Sequence, residues 1–72
     1  MEDKRKVVRK LEQLLMSTRE YYDLTKLSYE VTEDGSEYVF VYFEHSETPC
    51  YRVNVTADSG IALVRDVLRR IS

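Results

Sequence analysis

Apolar residues recur at spacings of three and four over residues 3–22, which is the period of an amphipathic α-helix. The segment has no glycine or proline and is rich in Leu, Glu, Lys, Arg and Gln, which favour helix. We therefore predict a first helix here, and one stripe of it should pack on the rest of the protein. The members of that stripe are Val7, Val8, Leu11, Leu14, Leu15, Thr18 and Tyr22.

The middle of the chain has the shorter patterns of β-strands. The first segment alternates strictly, with Leu27, Tyr29 and Val31 on one side. The dipeptide Asp34-Gly35 follows it, and this pair is typical of a two-residue type I′ hairpin turn. The second segment is apolar at every position, and the third alternates again. The predicted strands are 27–33, 38–43 and 50–56.

A second amphipathic helix is predicted from Ile61 to the end of the sequence, because Asp58 and Ser59 before it are helix-capping residue types. A three-stranded antiparallel meander cannot bury its own apolar side chains, so both helices should cover one face of it. The predicted fold is therefore α+β, a two-layer α-β-β-β-α sandwich. The stripe of the second helix contains Ile61, Leu63, Val64, Val67, Leu68 and Ile71.

The register of the first hairpin decides which side of residues 38–43 is left uncovered. A two-residue turn sends the odd-numbered residues of this segment away from the helices. A turn longer by one residue sends the even-numbered residues there instead, with two tyrosines among them. Either register leaves a large apolar or aromatic row on a face that ordinarily carries polar side chains in a two-layer domain.

That uncovered row is the candidate functional surface. Exposed apolar and aromatic rows are typical of protein interfaces, and a second copy across a two-fold axis is the simplest partner. With the two-residue turn, the expected interaction residues are Val39, Val41, Phe43 and Arg52. The alternatives are that long neighbouring side chains screen the row, or that it forms a platform for a small ligand or nucleic acid.

Length and charge narrow the functional classes. A chain of 72 residues, 43% apolar and 33% charged, is expected to form a single globular domain over residues 1–72. A net charge of −2 argues against a protein that mainly wraps phosphate backbones. Residues 1–26 hold seven basic and five acidic side chains, whereas residues 27–56 hold one and six. We therefore expect a basic helix layer and an acidic sheet side.

Few residues are candidates for catalysis. His45 and Cys50 are the only nucleophile–base pair, and we expect a solvated turn histidine and a half-buried cysteine. Glu44 and Glu47 would have to join them to hold a metal, whereas structural zinc prefers four Cys or His ligands. The sequence has no phosphate-binding loop, dinucleotide-binding or CxxC motif. We predict a non-enzymatic protein that needs no cofactor or metal.

Basic side chains on both helices suggest nucleic-acid binding as the alternative function. The order of helix, three antiparallel strands and helix resembles that of the double-stranded-RNA-binding domain. The second helix of that family opens with a phosphate-gripping lysine cluster, but residues 56–60 have no lysine here and residues 33–36 are acidic. The resemblance is therefore one of topology. The candidate residues for this alternative are Lys6, Arg9, Lys10, Arg65 and Arg69.

The location expected from the sequence is the cytoplasm. Residues 1–6 are mostly charged, unlike the apolar segment of a signal peptide. No apolar run approaches the roughly 20 residues of a membrane span. Cys50 has no second cysteine to pair with, which suits a reducing compartment.

Overall fold

The computed structural model describes residues 4–21 and 23–71. Its elements are α1 (Lys4–Met16), a 3₁₀ turn (Arg19–Tyr21), β1 (Leu24–Val31), β2 (Glu37–Phe43), β3 (Tyr51–Asn54) and α2 (Gly60–Ile71). The strands form an antiparallel sheet in the order β1-β2-β3. α1 packs on β1, α2 packs on β3, and the two helices contact each other. The predicted α-β-β-β-α architecture is confirmed.

The helix α1 ends at Met16, before the predicted end at residue 22. The hydroxyls of Ser17 and Thr18 both donate to the carbonyl oxygen of Leu14, at 2.8 and 2.9 Å. Such side chains compete with backbone N–H groups for helical carbonyls, so they favour the end of a helix. Tyr22, the last member of the predicted stripe, lies outside the described residues.

Only part of each predicted stripe is buried. Leu14 on α1 is 63% exposed and Ile61 on α2 is 73% exposed, so the prediction that they pack in the core is wrong. Each stripe is wider than the arc of helix that the sheet covers, and its far edge reaches the surface. The helical residues that are buried are Val8, Leu11, Leu15, Leu63 and Val67.

The hairpin between β1 and β2 has a three-residue loop. Thr32 N donates to Ser36 O at 2.8 Å and Gly35 N donates to Thr32 O at 3.0 Å. Gly35 alone has positive φ in this loop, at 87°, as in a type I turn followed by a bulge. The Asp34 carboxylate accepts bonds from Ser36 N at 3.1 Å and from the Thr32 hydroxyl, which favours this longer loop.

The extra loop residue reverses the two faces of β2. Tyr29 pairs with Val39 and Leu27 pairs with Val41, and both valines have 0% exposure. Phe43 packs against the same core. The prediction that Val39, Val41 and Phe43 face away from the helices is therefore wrong, and the register of the longer turn is the observed one.

The outer strand β1 is shaped by a bulge and by a contact from α1. The register shifts between Leu24 and Lys26, which leaves Leu24 and Leu27 both buried on the helix side. Thr25 Oγ1 donates to Tyr42 O at 3.1 Å beside this bulge. Glu12 Oε2 of α1 accepts the N–H of Leu27 at 2.7 Å, so an α1 side chain satisfies a backbone donor of β1.

Lys4 joins the start of α1 to the end of the sheet where β2 begins and β3 ends. Its ammonium donates to Val55 O at 2.9 Å and Thr56 O at 3.3 Å, and it pairs with Glu37 Oε1 at 3.1 Å. The Tyr29 hydroxyl also donates to Glu37 Oε1. Two contacts hold the pKa of Glu37 below its ordinary value: the hydrogen bond from Tyr29 has the larger effect and Lys4 the smaller.

Candidate functional site

The uncovered face of the sheet carries an aromatic row at its centre. Side chains alternate along each strand, so residues that pair across the strands share a row on this face. Tyr38, Phe40 and Tyr42 of β2 occupy the middle of these rows and are partly exposed; we call them the aromatic row. The rows across the sheet are Lys26–Tyr42, Ser28–Phe40–Arg52 and Glu30–Tyr38–Asn54.

Cations from the outer strands cover two of the three rings. The Lys26 ammonium lies 5.6 Å from the ring centroid of Tyr42, and the Arg52 guanidinium carbon lies 5.5 Å from that of Tyr38. These distances are in the range of cation–π attraction. The rings of Tyr38 and Phe40 are parallel within 1°, with centroids 6.2 Å apart. The face therefore presents ordered rings flanked by ordered positive charge.

The charge of this face differs from the prediction of an acidic sheet side. Glu30 is the one acid of residues 27–56 that points outward from the strands, beside Lys26 and Arg52. Glu37 points to the helix side, where it contacts Lys4. The other acids lie in the two hairpin loops at opposite ends of the sheet, and they are Glu33, Asp34, Glu44 and Glu47.

Of the four predicted interaction residues, Arg52 lies on the open face and is exposed. Val39 and Val41 lie in the core and Phe43 packs beside them, so the aromatic row occupies the place expected for them. The sequence did carry one relevant signal. Asp34 stands between hydroxyl-bearing Thr32 and Ser36, which together stabilise the longer loop.

The basic residues predicted for nucleic acid are divided among three places on the molecule. Arg9 borders a depression beside β1 with Lys26, whereas Arg69 borders another beside β3 with Arg52. Lys10 lies between the two helices. The five predicted residues are therefore not brought together in one patch. Lys6 and Arg65, the remaining two, are exposed on α1 and α2.

The turn that follows β2 holds the residues considered for catalysis. Glu44 and His45 adopt positive φ, at 53° and 57°, and Ser46 N donates to Phe43 O at 3.0 Å. Both central residues of a type I′ turn require positive φ, so this turn has the conformation that the sequence predicted for Asp34-Gly35. His45 and Cys50 are both exposed, and the expectation of a half-buried cysteine is wrong.

Among residues 4–21 and 23–71, no group of three or more His, Cys, Asp and Glu side chains is arranged to hold a metal ion. In the same part of the chain, no helix has both the length and the apolar character needed to cross a membrane.

Comparison with known proteins finds no matching family model, no similar curated protein and no similar solved structure.

Proposed function

We propose that the protein is a cytoplasmic, non-enzymatic interaction module whose open sheet face binds a second copy of the chain. The observation that carries this proposal is the aromatic row, three partly exposed rings on a face that no other element of residues 4–21 and 23–71 covers. Tyrosine and arginine are enriched among the residues that contribute most to protein interfaces. Arg52 is stacked on Tyr38, so less side-chain entropy remains to be lost on binding.

The distribution of charge supports a second copy as the partner. Lys26 and Glu30 lie on β1 on either side of the row that contains Phe40. A two-fold axis along that row would place Lys26 of each copy opposite Glu30 of the other, and Phe40 opposite Phe40. The same axis brings the two Arg52 side chains near each other, which opposes tight binding.

The small area of the face indicates a weak complex. Three strands span about 14 Å, and a strand of six residues is about 20 Å long. The footprint is on the order of 300 Å², below the roughly 800 Å² per partner of a standard stable complex. We therefore expect a weak dimer, with a dissociation constant of about 10 µM to 1 mM.

The first experiment measures mass against concentration by sedimentation equilibrium, from about 5 µM to 2 mM, to span that range of affinity. We expect the wild-type mass to rise from one copy towards two. Phe40→Glu should remain monomeric, while Leu14→Glu, on the opposite layer, should dimerise like the wild type. A wild-type monomer at the highest concentration, or a Phe40→Glu variant that still dimerises, would contradict the proposal.

A charge exchange tests the two-fold arrangement without disturbing the rings. Glu30→Lys alone and Lys26→Glu alone should each weaken the dimer, because each places like charges opposite one another. The double variant Lys26→Glu/Glu30→Lys should restore it. Additive weakening in the double variant would contradict this arrangement.

Binding of single-stranded nucleic acid is the second candidate function, favoured by the parallel rings of Tyr38 and Phe40 beside Arg52. Unpaired bases stack on aromatic side chains in many such proteins, with cations nearby for the phosphates. Titration of a labelled oligouridine at low ionic strength should then give salt-sensitive binding that Phe40→Ala weakens. A flat titration would remove this candidate.

A further inference from the structure

A second apolar surface lies on the other layer, between α1 and α2. It is a groove of about 280 Å³, and we call it the interhelical groove. Ile61 and Leu14 are the two most exposed large apolar side chains of the described residues, at 73% and 63%. Seven residues line the groove: Val7, Lys10, Leu11 and Leu14 from α1, and Gly60, Ile61 and Val64 from α2.

The spacing of its apolar walls matches the apolar face of a third helix. On α1, Val7 and Leu14 are seven residues apart, which is about 10 Å along the helix axis. On α2, Ile61 and Val64 lie one turn apart. Side-by-side helices leave a concave seam, and a helix binds such a seam through apolar anchors about one turn apart.

The charge around the groove is positive on both sides. Lys10 is part of the wall, Lys6 stands one helical turn before it, and Arg65 stands one turn after Ile61. The described residues of α1 include five basic and one acidic side chain, and those of α2 include three and one. A second copy that docked its own helix layer here would bring positive charge against positive charge.

We propose that the interhelical groove binds an amphipathic helix of another protein, one that carries glutamate or aspartate on both sides of its apolar stripe. Leucine-sized anchors fill the space between Leu14 and Ile61, and the flanking acids pair with Lys10 and Arg65. The partner of this surface is therefore chemically distinct from the second copy proposed for the sheet face. Exposed apolar side chains flanked by basic residues also bind anionic membranes, and a vesicle experiment below distinguishes that outcome from a helical partner.

The probe is a synthetic 16-residue helical peptide with leucines at spacings of three and four, glutamates beside them and alanine elsewhere. The control peptide has lysine in place of every glutamate. We expect saturable binding of the glutamate peptide to the full chain in a fluorescence anisotropy titration. The lysine peptide should bind at least about tenfold more weakly, and added salt should reduce the difference.

Variants assign the binding to the groove. Leu14→Glu and Ile61→Glu should each weaken binding at least about tenfold, since each places a charge among the apolar anchors. Met16→Glu is the matched control, because Met16 is 49% exposed on the same helix and does not line the groove. Circular dichroism melts of all three variants check that the fold is retained. Lys10→Glu should weaken the glutamate peptide and strengthen the lysine peptide.

Several outcomes would overturn the inference. They are absence of saturable peptide binding, equal weakening by Met16→Glu and Leu14→Glu, and equal binding of the two peptides. Binding of anionic phosphatidylglycerol vesicles that Leu14→Glu abolishes would identify a membrane surface instead, and loss of wild-type self-association in Leu14→Glu would identify a second copy. Phe40→Glu should leave peptide binding unchanged, because Phe40 lies on the sheet face. Peptide binding at the groove and dimerisation through the sheet face are therefore tested independently.

Discussion

At one end of the sheet, the side chain of Lys4 bonds to β2 and to the segment after β3. At the other end, no such side-chain bond is seen among residues 44–50, and most of the bonds of the turn are local. Lys4 connects α1 to the carbonyls of Val55 and Thr56 and to Glu37, and Thr56 Oγ1 accepts the N–H of Glu37 at 2.8 Å. At the opposite end, residues 44–50 are all exposed, and the bonds of Ser46 stay within the turn or its immediate neighbours. One backbone bond, from Glu44 N to Asp23 O at 2.8 Å, ties this turn to the start of β1.

The two ends therefore contribute differently to the stability of this small protein. The first end uses long-range contacts, with separations of up to 52 residues, to hold α1 over the sheet. The second end places non-glycine residues in the left-handed region, which costs about 1 kcal/mol for each. Substitutions at the first end should therefore destabilise the fold, whereas well-chosen substitutions at the second should stabilise it.

Removal of the Lys4 ammonium should lower the stability of the fold more than any other substitution considered below. Lys4→Met should lower the free energy of unfolding by about 1 to 2 kcal/mol, because two carbonyls lose a charged donor. Chemical denaturation by urea measures this change. Lys6→Met is the matched control, an exposed lysine on the same helix whose loss should change stability by less than about 0.5 kcal/mol. Equal effects from the two variants would contradict a special role for Lys4.

Gly35 gives the next effect. Its φ of 87° disfavours a side chain, although a Cβ there would meet nothing within 4 Å. Gly35→Ala should therefore lower stability by about 1 kcal/mol through backbone strain alone, and Gly35→Asn should cost less because asparagine tolerates this conformation. The melting temperature should be highest for the wild type, lower for Gly35→Asn and lowest for Gly35→Ala. An alanine variant as stable as the wild type would contradict backbone strain at this position.

Substitution of the turn residues Glu44 and His45 should raise stability, in contrast to the substitutions above. Replacing both residues by the Asn-Gly pair should raise stability by up to about 1 kcal/mol, because positive φ then costs little. Glu47→Gly is the control, a glycine introduced in the same loop at a residue with ordinary φ, and it should not stabilise. A lower melting temperature for the Asn-Gly variant would argue against the strain at this turn.

The pH dependence of stability is a further probe of the Lys4 end. The pKa of Glu37 is lowered by the Tyr29 hydroxyl and by Lys4, and the pKa of Asp34 is lowered by Thr32 and Ser36. Their stabilisation is complete above the ordinary Glu pKa of 4.5 and is lost as pH falls through the lower folded value. Asp58 acts in the opposite direction, since burial and the Asp66 carboxylate raise its pKa, and protonation relieves that cost.

Urea denaturation at steps from pH 7 to pH 3 should therefore show stability falling below about pH 4.5. Tyr29→Phe removes the largest cause of the lowered Glu37 pKa. The free energy of unfolding of this variant should therefore fall less between pH 4.5 and pH 3 than that of the wild type. The melting temperature of Tyr29→Phe at pH 7 provides the reference for its overall stability. An identical loss of stability below pH 4.5 in both proteins would contradict the role of Tyr29 in lowering the Glu37 pKa.

The element order and the helix-facing side of the outer strands could be predicted from the sequence. Alternation in β1 placed Leu27 and Tyr29 correctly, and the same pattern placed Val53 of β3. β2 has no alternation to read, because both of its sides are apolar. Its orientation therefore depended on a single loop residue, and the Asp34-Gly35 pair supported the wrong loop length.

Two further features could not be read from the pattern for physical reasons. Helical periodicity indicates which residues share a side, but the width of the sheet decides how many of them are covered, so Leu14 and Ile61 were misplaced. The apolar stripe continues past Met16, but the hydroxyls of Ser17 and Thr18 compete with backbone N–H groups for the carbonyl oxygen of Leu14 and end α1 there. The aromatic row follows directly once the loop length is known.

The Glu12 carboxylate, which accepts the N–H of Leu27, also limits how copies of this protein can assemble. A free strand edge is a template on which another chain adds a strand, and this is a common route to fibrils. Strand addition at β1 would have to displace Glu12 from that N–H. The remaining edge, β3, is only four residues long. Concentrated solutions should therefore favour closed face-to-face pairs over an endlessly extended sheet.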